Sequence, residues 1–260
     1  MIILLALVAL VQGDKPKPLT LEQQKERLDS RGDWPPVIAG RRSFGKFCEN
    51  AYTFCDVNIC SEVKDIGKIE LVNPFPDDYK PTWREILDTV ARQTQTSYSY
   101  SDKIDETGSW NFEKPAKPLP FKVTLGKGWT QEDRGLYLFC KPPNALVGMD
   151  VYLLGTYSFE KDAAKEELKI RDKLALRFLS KISPDTKVED MKKVTIDGAE
   201  AVSFEAPAPK KEVTWRQWVF VKDGQAFAIV SALDNDKADL VKDVQAQVAS
   251  FKCVKDEKKK

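Results

Sequence analysis

Histidine is missing from all 260 residues. Its absence excludes Ser-His-Asp and Cys-His catalysis, imidazole proton transfer and nearly all hydrolytic zinc chemistry. An enzyme built on this chain would have only carboxylates, lysine, tyrosine and cysteine to work with. Excess charge of either sign is also missing: 41 Lys and Arg stand against 40 Asp and Glu, a formal net charge of +1. Nucleic-acid binding is driven largely by phosphate neutralisation, so this balance supplies no footprint for it. The one basic run, Lys258-Lys259-Lys260, follows Asp256 and Glu257 and reads as a solvated tail, residues 255–260. Long apolar runs are scarce too. Beyond the first residues nothing approaches the about eighteen apolar positions that a membrane-crossing helix needs.

What is present begins with MIILLALVALVQG, residues 1–13, an apolar run too short to cross a bilayer. It closes on Val11-Gln12-Gly13, small residues at the −3 and −1 positions, with Asp14 and Lys15 next. The basic n-region is absent, but the h-region and cleavage pattern predict an export signal, and so a periplasmic or extracellular mature chain. No cysteine follows the run, which argues against a lipid anchor. The five cysteines are Cys48, Cys55, Cys60, Cys140 and Cys253. After export they are free to oxidise. Two of the first three could close a short loop, and Cys140 could meet Cys253, while the odd count leaves one over. The C-x6-C-x4-C spacing fits no zinc knuckle, so structural staples or buried thiols are the expectation rather than metal.

Residues 14–41 are polar and proline-bearing, an N-terminal arm in which a helix starting at Leu19 to Gln24 ends before Gly32. Residues 42–115 read as a small module. Residues 68–72 alternate as a strand, broken by Asn73-Pro74. Thr82-Trp83-Arg84-Glu85 is a capping box opening a helix with Trp83, Ile86, Leu87, Val90 and Ala91 on one stripe. TSYSY (96–100) and Trp110-Asn111-Phe112 are two further strands joined across Thr107-Gly108, giving β-α-β-β. The run PTWREILDTVARQTQTSYSYSDK resembles the helix-and-strand core of the short N-terminal domain of secretins and TonB-dependent receptors, over about forty residues. In that family a glycine follows the threonine, where this chain has Gln95. The resemblance implies contact with another protein rather than chemistry.

Lys114 to Pro120 holds three prolines, Pro115, Pro118 and Pro120, and predicts an extended linker. A larger unit, residues 116–254, follows. Strands are predicted over 121–125, 136–140 and 149–159. The helix over 160–181 has a stripe of Ala164, Leu168, Arg171, Leu174, Ala175, Phe178, Leu179 and Ile182. Strands over 193–196, 199–206, 213–221 and 225–233 turn at Asp197-Gly198 and Asp223-Gly224. Asp234-Asn235-Asp236 is expected to cap a last helix with stripe Leu240, Val241, Val244, Val248 and Phe251. The fold class is α+β, an antiparallel sheet packed against helices.

The opening strand with Gly128-Trp129, the hairpin VTIDGAEAVSFEA, the pair TWRQWVFVKDGQAFAIVSAL and the close on Ala249-Ser250-Phe251 together resemble the superfamily of PsbP, the extrinsic photosystem II subunit, and the Ran-binding nuclear import factor. The likeness spans about 135 residues. It implies a PsbP-like α/β/α sandwich whose members mostly bind partners.

The chemistry that remains is sparse. Ser-x-x-Lys occurs at Ser43/Lys46 and Ser61/Lys64, without the companion motifs of penicillin-recognising enzymes, and reads as chance. Asp77-Asp78 and the pair Asp234 and Asp236 sit at turns or caps, where aspartate serves the backbone. No phosphate loop, cofactor motif or complete calcium loop is present. Trp215, Arg216 and Trp218 are the candidate partner-binding residues. The tryptophans are three apart, so one should face the core and the other solvent, with Arg216 on the Trp218 face. The expected function is an exported, non-enzymatic binding or adaptor protein for another envelope or secreted protein. The alternatives are a histidine-free hydrolase working through carboxylates, and a structural envelope component.

Overall fold

The computed structural model describes residues 21–31, 42–55, 57–101, 108–114, 117–135, 137–143, 148–159, 162–179, 187–207, 212–234 and 236–254. The expected signal segment, residues 1–13, and the tail, residues 255–260, lie outside them.

The first part of the chain forms α1 (Leu21–Asp29), β1 (Arg42–Ser43), α2 (Phe44–Cys55), β2 (Ile59–Cys60), β3 (Glu70–Leu71), α3 (Trp83–Thr94), β4 (Ser97–Ser101) and β5 (Ser109–Glu113). The expected order β3-α3-β4-β5 is there. Strand β1, helix α2 and strand β2, ahead of it in the module, are additions, and β3 pairs with β1 while β2 joins β5 in a small β2-β5-β4 sheet. Helix α2 forms because Phe44, Phe47 and Ala51 recur at helical spacing and are all buried. Helix α3 opens on the predicted capping box: Thr82 Oγ1 accepts from the Glu85 amide at 3.2 Å, and Glu85 Oε2 accepts from the Thr82 amide at 2.6 Å. It closes on Gln95 at φ +53°, the left-handed position that glycine fills in most helices.

The rest forms β6 (Phe121–Lys122), β7 (Thr130–Asp133), β8 (Tyr137–Lys141), β9 (Met149–Thr156), α4 (Ala163–Leu179), β10 (Lys192–Ile196), β11 (Ala199–Pro207), β12 (Val213–Lys222), β13 (Gln225–Asp234), α5 (Ala238–Ser250) and β14 (Lys252–Cys253). Seven strands make one antiparallel sheet in the order β10-β11-β12-β13-β9-β8-β7. The fold is α+β. The predicted opening strand is cut to two residues, because its partner among the described residues is the short, two-residue β14.

Each face of the sheet has its own core. On one side α4 and the first module pack together, with Ile86, Leu87, Val90, Leu174, Val219 and Ala228 in one continuous cluster. On the other side α5 closes over Phe220, Phe227 and Phe251, whose rings meet at 5.1 to 5.2 Å.

The seam of α4 is turned from the predicted stripe. Ile170, Arg171, Leu174 and Ala175 are buried, while Leu168 is 38% exposed. The buried Arg171 explains how a charge sits in that seam: its guanidinium takes Asp172 at 2.7 Å and Glu200 at 2.5 Å. The cap of α5 also differs. Its N-cap is Lys237, with no side-chain bond, rather than the aspartates; Asn235 lies outside the described residues.

Among the described residues the cysteines are thiols. Cys48, Cys60, Cys140 and Cys253 are free; nothing is described of the Cys55 side chain. Cys140 lies in the α5 core and Cys253 packs against it, but the expected pairing is not made: both are free. Burial pushes both thiols up, Cys140 to about 12 and Cys253 to about 11, which suppresses the thiolate that disulfide exchange requires.

The two Asp-Gly turns allow a contrast. Gly198 (φ +81°) has open space where a Cβ would stand, whereas a Cβ on Gly224 (φ +75°) would run into the Tyr157 carbonyl oxygen. Gly198→Ala should cost about 1 kcal/mol, the left-handed backbone penalty alone. Gly224→Ala adds a clash with main chain and should cost about twice that or more. Thermal denaturation of the two variants checks the order; equal losses would refute it.

Candidate functional site

Trp215, Arg216 and Trp218 all lie on β12, and successive residues of a strand face opposite sides. The three therefore divide between the two faces. Trp218 joins the α5 core at 8% exposure, and Trp215, on the α4 side, is 37% exposed. Arg216 shares the Trp218 face, with its Nε 3.7 Å from Glu205 Oε1 and its side chain 11% exposed. Lys210 and Lys211, the expected extra charge, lie outside the described residues.

The strand register shows what surrounds Trp215. Its direct neighbours are Ala206 on β11 and Ala232 on β13. The next row on the same face runs Phe139, Asp150, Val230, Gln217, Phe204 across five strands. The row after that runs Tyr137, Tyr152, Ala228, Val219, Val202, and there Ala175 of α4 reaches the sheet. Seven strands at about 4.8 Å spacing are wider than one helix of about 10 Å diameter can cover. The end of this face beyond α4 keeps Tyr137, Phe139, Tyr152, Phe204, Val230 and Ala232 half-buried and Trp215 exposed.

Polar groups are set among these rings. The Arg134 guanidinium lies 4.4 Å from the centre of the Phe139 ring and donates to the Tyr137 hydroxyl at 3.3 Å and to Glu132 at 2.9 Å. Tyr137 and Tyr152 meet at 5.0 Å between centroids. Tyr152 donates to Asp150 Oδ2 at 3.4 Å, while Asp150 Oδ1 and Gln217 Nε2 are buried with no hydrogen-bond partner. Burial raises the Asp150 carboxyl above its ordinary value, against the opposing pull of the Tyr152 bond and Arg134. Aromatic plates with a few fixed polar groups can hold a partner by stacking and hydrogen bonding.

The remaining sequence candidates make local hydrogen bonds and ion pairs. Ser43 Oγ accepts from the Lys46 amide at 3.2 Å, and Lys46 Nζ is held by Glu49 at 2.6 Å. Ser61 Oγ donates to the Phe112 carbonyl at 2.5 Å and accepts from the Val63 amide at 3.1 Å. Asp78 is bound to Lys173, and that bond, first among its influences, lowers its carboxyl pKa. Asp236 stands 3.5 Å from Lys237. Among the described residues, no helix is long and apolar enough to cross a membrane.

No protein-family model matches the chain, and no curated protein matches it. Several solved structures share part of its course, among them the following three. A protein of Bacteroides thetaiotaomicron is 16% identical at a TM-score of 0.35, over 53% of this chain and 46% of its own. This chain therefore spans less than half of that protein. Cyanobacterial PsbP (CyanoP) from Synechocystis is 14% identical at a TM-score of 0.33, over 53% of this chain and 84% of its own. LpqN of Mycobacterium tuberculosis, described as involved in cell envelope biogenesis, is 12% identical at 0.32, over 52% and 83%. The PsbP likeness is thus a resemblance over about half the chain, and no function follows from values this low.

Sequence reasoning names Trp215 with Arg216 and Trp218 and expects an exposed tryptophan beside the arginine; the structure instead sets Arg216 beside the buried Trp218, and the surroundings of Trp215 are missed. Tyr137, Phe139, Asp150 and Tyr152 alternate with the core residues Leu138, Cys140, Met149 and Val151. That pattern, aromatic on the face that would ordinarily be polar, was the available signal.

Proposed function

We propose that the chain is an exported binding or adaptor protein that receives another envelope or secreted protein on the Trp215 end of its sheet. The observation that carries this reading is a tryptophan 37% exposed, on a sheet face where Tyr137, Phe139, Tyr152, Phe204 and Val230 are half-buried. Large exposed apolar patches are uncommon on monomers, and Trp, Tyr and Arg dominate the energetics of interfaces. The export half of the proposal rests on the sequence of residues 1–13.

A photoreactive amino acid in place of Trp215, with a control at Tyr52, which is 59% exposed, tests the surface in the producing cell. A discrete cross-linked product is expected from position 215 and not from position 52. The reading fails if neither position gives a product, or if both give the same ones.

A further inference from the structure

On the opposite face, between the sheet edge and α5, runs a groove of about 310 Å³ lined by Lys192, Val194, Ser203, Glu205, Trp218 and Gln245. Strand β10 is the last of the sheet, so the groove opens along a strand with one free side. One cation, Lys192, lines it, and a second, Arg216, stands next to two of its lining residues, Glu205 and Trp218. The Lys192 side chain is on the groove side and forms no ion pair among the described residues. Arg216 lies two strands in, directly opposite Glu205, and two residues from Trp218 on the same face.

The hydrogen bonding of Arg216 is incomplete. Its Nε and Nη1 are buried with no acceptor, and so is the hydroxyl of Ser231, its direct neighbour on β13. Glu205 balances the charge at 3.7 Å, but that distance is beyond a hydrogen bond, and its side chain is 52% exposed. A guanidinium shut off from water with donors unused is costly, and a carboxylate able to meet it squarely gains charge-assisted bonds. Glu205 occupies the near side without making those bonds, so it acts as a loose internal competitor.

We infer that this groove binds an extended acidic peptide segment of a partner protein, with one carboxylate taken by Arg216, a second by Lys192, and the Trp218 ring as the floor between them. Lys192 lies two strand spacings across from Trp218, and Arg216 two residues along β12 from it, so the two cations are about 12 Å apart. An extended chain rises about 3.4 Å per residue, so carboxylates two to four residues apart reach both cations.

The test uses the full chain and three acetylated, amidated decapeptides in which valine alternates with glutamate, glutamine or lysine. Binding is read by fluorescence anisotropy, and the Arg216 Nε–H signal is followed by NMR. The glutamate peptide is expected to bind at least tenfold more tightly than the other two and to shift the Arg216 signal. Lys192→Met should weaken it several-fold. Glu205→Gln should tighten it several-fold by removing the competitor, an effect that a merely structural Arg216–Glu205 pair would not produce. Glu205 is exposed, so this variant stays informative even if Arg216→Met fails to fold. Equal binding of the glutamate and glutamine peptides, an unmoved Arg216 signal, or weaker binding by Glu205→Gln would each overturn the inference.

Discussion

Glu85→Ala is expected to lower stability by on the order of 3–4 kcal/mol, a fall of roughly 10 °C in the melting temperature of a chain this size. Glu85 is 1% exposed, yet every direction around its carboxylate is occupied. Oε2 accepts from the Thr82 amide at 2.6 Å, and Oε1 accepts from the Tyr79 hydroxyl at 2.8 Å and from the Ser158 amide. Thr82 and Tyr79 belong to the approach to α3, whereas Ser158 lies just past the end of β9. One side chain thus ties the first module to the large sheet. Arg31 reinforces the joint, donating to the carbonyls of Lys80 at 3.0 Å and Ser158 at 2.9 Å.

Alanine would remove half of the capping box, worth about 1 kcal/mol, and would leave the buried Thr82 amide, the part-buried Ser158 amide and the Tyr79 hydroxyl without this acceptor, at about 1–3 kcal/mol for each group that water cannot reach. Hydrogen exchange should show lost protection at Thr82 and Ser158 together. Tyr79 offers a second readout. Burial and then the Glu85 carboxylate push its hydroxyl up to about 12, so its titration should move down in the variant. A loss below 1 kcal/mol with Tyr79 unmoved would show that the carboxylate is not the joint.

The reach of sequence reasoning can be traced through particular residues. The Asp-Gly turns fix both hairpins because their left-handed backbone is written in the residue types: Asp197, Gly198, Asp223 and Gly224 all have positive φ. Thr82 and Glu85 fix the start of α3 for a similar local reason. Helix α2 was legible in Phe44, Phe47 and Ala51, but Cys48, Cys55 and Cys60 in the same stretch invite reading by cysteine spacing instead. Strand β7 carries no signal at all, since all four residues of TQED are exposed and it is a strand only because β8 pairs with it. The same limit applies to the sites. Alternation alone sends Trp215 and Trp218 to opposite faces. That Arg216 meets Glu205 and Ser231, or that Asp150 and Gln217 share a row with Val230, depends on the register of strands far apart in sequence. No local pattern encodes it.

The second large effect is expected at Asp197, where the chain end is fastened to the sheet. Asp197 opens the β10–β11 turn at φ +48° and its side chain is 11% exposed. Oδ2 accepts from Lys222 at 2.6 Å and from the Cys253 amide at 2.9 Å, and Oδ1 accepts from Lys252 at 2.9 Å. Burial pulls this carboxyl upward, but the Lys222, Cys253 and Lys252 bonds prevail and hold it far below the usual carboxylate range. The folded value is therefore lower than the unfolded one, near 3.9 for aspartate. Above that pH the stabilisation is fully present. Below it the unfolded chain binds the proton first, so stability declines as the pH falls toward the folded value.

Asp197→Asn separates charge from shape, because asparagine adopts the same left-handed backbone readily. At neutral pH it should cost about 2–3 kcal/mol, the scale of charge-assisted bonds lost in a partly buried site. Below pH 4 the gap from the wild type should shrink, since protonation has already done there what the substitution does everywhere. Lys222→Met should reproduce part of the loss, and the double variant should lose less than the sum of the two singles. A constant gap between wild type and Asp197→Asn across the acid limb would mean that the β10–β11 turn, rather than the carboxylate, holds β14 in place.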